Sequence, residues 1–140
     1  MKKYLGRLSG PLLDRIDLHV DVPPVTYRDL ASTAQEEASA QIQARVDAAR
    51  RLQQRRYMVD GLFCNAHMLP KHVQVYCRLD TSGRQLLAAA MGRLGLSARG
   101  YERVLKVART IADLAGAEAI AVEHVAEAIQ YRSLDRDVWM

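Results

Sequence analysis

Apolar residues recur at the spacing of an α-helix through most of this 140-residue chain, and the pattern predicts a mainly all-α fold. The clearest segment begins at Ser97, where apolar positions cluster on one side of the helix. A basic ridge lies on the opposite side and is expected to face solvent. The apolar positions are Tyr101, Val104, Leu105, Ala108, Ile111, Ala112 and Ala115, and the ridge consists of Arg99, Arg103, Lys106 and Thr110.

A long helix is predicted to run to about Arg56 from Ser32 or Thr33, either of which can cap it. Its apolar stripe is narrow and consists of Ala38, Ile42, Val46, Ala49 and Leu52. The positive charges at its end are Arg50, Arg51, Arg55 and Arg56. They are interpreted as a solvated end that complements the helix dipole. The alternative is contact with DNA phosphates, although no aromatic residue interleaves with them to stack on bases.

Three shorter helices complete the predicted bundle of four to five helices. Pro70 can open one of them, Asp80 or Thr81 caps the next, and Gly95 closes it. The last helix follows Gly116. Their predicted inward residues are Val73, Tyr76 and Cys77 in the first, Leu86, Leu87, Ala90, Met91 and Leu94 in the second, and Val122, Val125, Ala126 and Ile129 in the third.

Residues 16–22 alternate between apolar and polar side chains and stop at Pro23 and Pro24. The alternation predicts a half-buried strand. Since no second strand is predicted to pair with it, we expect this strand to be short, frayed or rearranged, and to hold the only strand content. Residues 134–140 are expected to form a tail. Its Trp139 either packs against the helices or stays exposed to solvent.

The composition favours polyanions as partners without choosing among them. The net charge is +4 and the sequence pI is about 9.3, which is too small an excess to separate nucleic acid, nucleotide or an acidic protein face. No apolar run approaches the length of a membrane span, and no leader pattern follows the first lysines. These features predict a soluble, cytoplasmic protein that makes no membrane contact.

Four residues invite a zinc interpretation, namely Cys64, His67, His72 and Cys77. Their spacing is loose and lacks the paired arrangement of zinc knuckles. The preferred interpretation is a reduced Cys77 in the core with histidines at the surface, and no metal site. His19 is interpreted as a strand histidine and His124 as an outward helix residue. No Ser-His-Asp or Cys-His pattern supports a free-standing hydrolase.

Several motifs, in matching order, resemble the C-terminal part of the magnesium-chelatase-like AAA+ ATPases of the ComM/YifB group. They lie at residues 4–20, 65–66, 77–80, 94–99 with Tyr101 and Arg103, 108–114 and 124–132. The resemblance implies that residues 1–24 end an AAA+ α/β core, that residues 25–60 form a connecting helix, and that residues 61–140 form a helical lid with a sensor-two arginine. Several hundred residues are expected to precede this portion in the parent protein.

Within the resemblance, Leu12-Leu13-Asp14-Arg15-Ile16-Asp17 is similar to the arginine-finger segment of such ATPases. A guanidinium offers planar, permanently charged donors to the γ-phosphate, so the resemblance implies that Arg15 is the catalytic finger acting on a neighbouring subunit. The alternative is an ordinary ion pair of Arg15 with Asp14 or Asp17. Arg99 matches the sensor-two arginine that binds nucleotide in the same subunit. Arg103, one turn further along the helix, is the alternative residue for this role.

The chain has no glycine followed by lysine and no apolar strand ending in an Asp-Glu pair. It therefore lacks the loop that cradles phosphates and the carboxylate that holds magnesium. We expect this portion alone neither to hydrolyse ATP nor to bind it tightly. The resemblance implies a parent that binds ATP and Mg, forms a ring, expected to be a hexamer, and remodels DNA by branch migration or helicase activity, as in natural competence. The alternative is a stand-alone basic helical module that binds DNA or a partner protein.

Overall fold

The computed structural model describes residues 12, 14–31 and 37–132, without the side chains of residues 28 and 29. The helices in these ranges are α1 (Tyr27–Leu30), α2 (Ser39–Arg56), α3 (Pro70–Tyr76), α4 (Thr81–Leu94), α5 (Ala98–Leu114) and α6 (Val122–Gln130), with a 3-10 turn at Asn65–His67. The predicted mainly all-α fold is confirmed. None of these helices is long and apolar enough to cross a membrane.

Short polar caps fix the ends of α4 and α5. The Asp80 carboxylate accepts a hydrogen bond from the Gly83 N–H at 2.7 Å, and the Ser97 hydroxyl accepts one from the Gly100 N–H at 3.1 Å. Each satisfies a backbone donor that the first turn of a helix leaves without a partner. Gly95 closes α4 with a φ of 63°, a left-handed conformation that suits glycine. The predicted start and end of α4 and the predicted start of α5 are confirmed.

Histidines cap α3 and α6 from inside the helix. The His72 Nδ1 accepts a hydrogen bond from the Leu69 N–H, and the His124 Nδ1 accepts one from the Ala121 N–H, both at 3.0 Å. An imidazole at the third helical position can reach back to the residue that precedes the helix. Both rings are buried. The interpretation of His72 as a surface residue and of His124 as an outward one is therefore wrong.

The core surrounds α5, which packs against α2, α3 and α6, while α4 packs against α6. Its buried apolar residues are Tyr57, Met68, Val73, Cys77, Leu87, Leu96, Val104, Leu105, Ala108, Ala112, Ile120, Val125 and Ala128. In α6 the predicted face is rotated, because Val122 is 38% exposed whereas Ala128 is buried. The helical stripe of α5 correctly predicted the inward position of Val104, Leu105, Ala108 and Ala112.

The predicted strand at residues 16–22 is wrong. The structure gives these residues no strand, and the one β-bridge among the described residues joins Leu79 to Ile120. An extended segment needs a neighbouring strand to form a ladder. Here the backbone bonds instead to the end of α6, since the His19 N–H donates to the Tyr131 carbonyl at 2.8 Å. The expectation of a rearranged segment fits this finding.

The long helix α2 begins later than predicted. Residues 37 and 38 are not helical, and the Ala38 N–H donates to the Gln41 Oε1 at 3.2 Å, which satisfies the first donor of the helix. The proposed caps, Ser32 and Thr33, lie outside the described residues. The predicted end at Arg56 is confirmed.

The apolar stripe of α2 is buried only in its second half. Ala49 and Gln53 are buried, whereas Ile42 and Val46 are each 42% exposed. This half of the helix therefore meets α5 while the first half extends into solvent. The predicted tail at residues 134–140, with Trp139, lies outside the part of the chain that the structure describes.

Candidate functional site

Arg15 lies in a turn at the surface, where its backbone N–H donates to the Leu12 carbonyl at 3.0 Å. Its side chain is exposed, and the two carboxylates that could pair with it have other partners. Asp14 lies 3.7 Å from Arg132, and Asp17 pairs with Arg103. The alternative interpretation, an ion pair of Arg15 with one of these aspartates, is not supported by the ion pairs of the described residues.

The flanking residues attach the segment around Arg15 to the helical bundle. Arg132 is 1% exposed, and its guanidinium donates to the Ile16 carbonyl and lies beside Asp14. The His19 N–H bonds to the Tyr131 carbonyl. Because a buried guanidinium requires acceptors, Arg132 fixes this segment against the end of α6. Arg15 is left facing outward from an anchored backbone.

Arg99 and Arg103 lie one turn apart at the start of α5, next to this segment. Together with Lys106, Glu102, Asp17 and Ala66 they line a polar cavity of about 220 Å³. Arg99 is exposed and Arg103 is half-buried. Burial lowers the pKa of Arg103, the nearby Arg132 charge lowers it further, and Asp14 opposes both effects. The cavity lining therefore carries three cations and two carboxylates, an excess of one positive charge.

The basic ridge of α5 does not face open solvent along its whole length, as the sequence predicted. Arg103 and Lys106 are half-buried, and the Lys106 ammonium donates to the Ala66 carbonyl at 3.3 Å. Thr110 accepts a hydrogen bond from the Asn65 amide at 2.9 Å. The loop between α2 and α3 and the segment around Asp17 cover this face, so the ridge borders a cavity.

Asp113 is the centre of a buried polar network that sequence reasoning missed. Its carboxylate is 2% exposed and accepts from the Arg56 Nη1 and the Asn65 Nδ2, each at 2.9 Å, and from the Arg109 Nε at 3.1 Å. The Tyr57 hydroxyl donates to the Asn65 Oδ1 at 2.6 Å. Buried charges are stable only when paired and hydrogen-bonded, and here each charge has several partners.

Arg109 extends this network to the loop that follows α5. Its guanidinium is 3% exposed and donates to the Ala117 carbonyl at 2.7 Å and the Glu118 carbonyl at 2.8 Å. The network therefore joins α2, the following loop, α5 and the turn before α6. The sequence did contain a signal, an arginine and an aspartate at a spacing of four beside the apolar face of α5.

Arg56 must be removed from the candidate DNA-binding set. Its guanidinium bonds to the buried Asp113, and this contact raises the pKa of Arg56. A guanidinium held by an internal carboxylate is not available to a phosphate. The other three arginines, Arg50, Arg51 and Arg55, are exposed on α2.

The cysteine and histidine residues considered for zinc do not converge. In the described part of the chain, no group of three or more histidine, cysteine, aspartate or glutamate side chains is placed to hold a metal ion. Cys77 is buried, and burial raises the pKa of its thiol to about 12. Its Sγ lies 4.0 Å from the Met68 sulfur. Cys77 is a core residue, as expected.

Comparison with known proteins places these residues in a family context. Residues 36–132 match the family described as magnesium chelatase, subunit ChlI C-terminal, and residues 1–30 match magnesium chelatase, subunit ChlI. The chain is 42% identical to the competence protein ComM of Haemophilus influenzae and 42% identical to the YifB protein of Salmonella typhimurium. It is 39% identical to the YifB protein of Escherichia coli. Each match covers 96% of this chain and 26% of the relative, so the chain spans about a quarter of the length of these relatives.

Proposed function

Since the chain belongs to the magnesium chelatase subunit ChlI C-terminal family, we propose that it is the lid and arginine-finger portion of a magnesium-chelatase-like AAA+ ATPase. The observation that carries this proposal is the placement of Arg15. It is exposed on a segment that its neighbours anchor, beside the cationic cavity at the start of α5. Residues 1–24 would end the ATPase core, residues 25–60 would connect it, and residues 61–140 would form the lid.

In this proposal Arg15 enters the ATP site of a neighbouring subunit. Phosphoryl transfer spreads negative charge over the γ-phosphate oxygens, and an arginine supplied from outside the site stabilises that charge. Such a residue must project from the surface while its backbone stays in place. Arg15 meets both requirements, because it is exposed and the residues on either side of it bond to Arg132 and Arg103.

Arg99 and Arg103 would contact nucleotide bound in their own subunit. Both project from the first turns of α5 into one cavity, so a phosphate held there would fix the angle of the lid. Arg99 is the more accessible, and Arg103 must first exchange its partner Asp17. ATP and magnesium would be held elsewhere in the parent, because this chain contains no phosphate-binding glycine-lysine loop.

We further propose that the parent forms a ring whose ATP hydrolysis drives DNA remodelling. A finger acting across a subunit boundary requires neighbours, and a hexamer is the proposed assembly. The link to DNA draws on the name of one relative, a competence protein, and on the positive net charge of +4, which favours polyanions.

Subunit mixing in the parent tests the separation of these roles. Replacing Arg99 by alanine should lower hydrolysis, and adding subunits that lack the phosphate-loop lysine should not restore it. The reason is that every ATP site in such mixed rings is defective, either in its sensor or in its loop. The measurement is the ATPase rate against mixing ratio, with Arg93→Ala, an exposed arginine of α4, as control. Clear rescue of Arg99→Ala would contradict a role within its own subunit.

A second candidate function, a basic helical module that binds DNA, is favoured by the exposed arginines of α2. Arg51 and Arg55 lie one turn apart and Arg50 is adjacent. Exposed guanidinium groups at this spacing can contact neighbouring phosphates. This function is compatible with the first, since a DNA motor needs contacts to the backbone of its substrate.

Replacing Arg50, Arg51 and Arg55 together by alanine should weaken DNA binding by this chain and make it less sensitive to salt. Each lost phosphate contact lowers the slope of log affinity against log salt by about 0.9, so a fall of about 2 to 3 is expected. Fluorescence anisotropy with a labelled duplex at several salt concentrations gives the slope. The control replaces the exposed Lys71, Arg78 and Arg93. An equal loss in both variants would show that only net charge matters.

A further inference from the structure

The cationic cavity already holds an anionic group. The Asp17 carboxylate lines this cavity and pairs with Arg103. Its side chain is 51% exposed, so solvent and dissolved anions can reach the pair. The Nε of Arg103 is buried and lacks a hydrogen-bond acceptor within the described residues. The guanidinium therefore has donor capacity that Asp17 alone does not use.

Asp17 also belongs to the segment that carries Arg15. One residue separates them, and the same short stretch is attached at Asp14, at the Ile16 carbonyl and at the His19 N–H. It is also attached to the start of α5, through the pair of Asp17 with Arg103. Loss of that pair would remove one attachment of the segment, so its bonds to the end of α6 should open more often. The cavity and the exposed arginine are thus mechanically connected through one carboxylate.

We propose that Asp17 is an internal competitor for a polyphosphate-binding cavity formed by Arg99, Arg103 and Lys106, and that a polyphosphate entering it displaces Asp17 and loosens the segment that carries Arg15. The proposal rests on the proposed nucleotide-sensing role of Arg99 and Arg103, and adds how occupancy of that site reaches the finger. Occupancy of the ATP site in one subunit would then set the position of the finger offered to its neighbour.

Charge and exposure both favour the exchange. A terminal phosphate carries more negative charge and more acceptor oxygens than one carboxylate, and it can bond several guanidinium groups at once. Lys106 supplies a third cation that Asp17 does not engage. An exposed carboxylate in a pair with arginine is held weakly, because water screens the attraction. Asp17 and a phosphate cannot share Arg103 without repelling each other.

Tripolyphosphate, which contains the phosphate chain without a nucleoside, is the probe for calorimetry on this chain. Asp17→Asn should bind it about 5-fold more tightly or better than the unmodified chain, a coupling typical of linked sites. Asp21→Asn is the matched control, since it removes the same charge from an exposed position of the same segment. It should bind like the unmodified chain. Arg103→Ala should lose most of the binding in either background.

Hydrogen exchange at the His19 amide reports how often the loosened segment opens, because this amide, two residues beyond Asp17, bonds to the Tyr131 carbonyl. Tripolyphosphate should accelerate its exchange in the unmodified chain, and Asp17→Asn should exchange quickly without ligand. If neither the unmodified chain nor Asp17→Asn binds tripolyphosphate, both this inference and the proposed sensor roles are wrong. If both bind, but Asp17→Asn behaves like Asp21→Asn and His19 exchange does not change, the coupling is wrong and the proposed function stands.

Discussion

Replacing Arg15 by alanine in the full-length parent should leave nucleotide binding nearly unchanged and lower ATP hydrolysis by about 10³-fold or more, the effect of removing an arginine finger in related phosphoryl transfer. The physical reason is that the guanidinium interacts with charge that develops in the transition state, not with bound ATP. Nucleotide affinity by fluorescence titration and the steady-state ATPase rate separate the two effects. Because Arg15 is exposed, its loss should not change the thermal stability of the protein.

The same variant should be rescued by mixing. Subunits with Arg15→Ala retain a complete ATP site, and subunits that lack the phosphate-loop lysine retain a complete finger. In mixed rings, some interfaces join an intact site to an intact finger, and activity should return at intermediate ratios. Arg15→Lys is the matched control, since it keeps the charge but loses the planar donors, and it should remain strongly impaired. If Arg15→Ala acts only by unfolding the protein, or is rescued no better than Arg99→Ala, Arg15 is structural.

Replacing Asp113 by alanine should lower the free energy of unfolding by about 3–5 kcal/mol, the usual loss when one partner of a buried ion pair is removed. Two guanidinium groups would remain, from Arg109 at 3% side-chain exposure and Arg56 at 17%. They would repel each other without a counter-charge. Asn65 would also lose an acceptor. Since a domain is typically stable by about 5–15 kcal/mol, this single change should bring the chain close to unfolding.

Urea denaturation followed by circular dichroism measures this loss. Asp47→Ala, at an exposed position of α2, is the matched control and should change stability by less than about 0.5 kcal/mol. Asp113→Asn should fall between the two, because the amide keeps an acceptor oxygen but not the charge. A loss below about 1 kcal/mol for Asp113→Ala, against the range expected for a buried pair, would show that solvent or a rearranged partner replaces the carboxylate.

The helices could be predicted because their signals are local. In α4 and α5 the periodic apolar face, the capping side chain and the closing glycine lie within one segment, and all agree. The strand at residues 16–22 could not be predicted correctly, since a strand depends on a partner elsewhere in the chain. The inward face of α6 was also predicted incorrectly because it depends on neighbouring elements. Periodicity alone placed Val122 inward, whereas packing of α6 on α4 and α5 buries Ala128.

In the candidate site, too, the local features could be predicted from the sequence and the long-range contacts could not. Arg15, Arg99 and Arg103 were identified from motifs, and the structure places Asp17 between them as a partner of Arg103. Nothing local indicated that Arg132 would anchor the segment, because its contact with Ile16 spans 116 positions. The contact of Arg56 with Asp113 spans 57 positions. Long-range pairs of this kind depend on the packing of helices, which a single sequence does not reveal.

The two halves of α2 differ in how firmly the rest of the protein holds them. From residue 39 to residue 48 every side chain is exposed, whereas Ala49 and Gln53 are buried and Arg56 bonds to Asp113. The free energy of local opening follows the density of buried contacts. The first half can therefore unfold while the core remains intact, and its amides should exchange through that partial opening. The last turns should exchange only when the whole bundle unfolds, so one continuous helix belongs to two cooperative units.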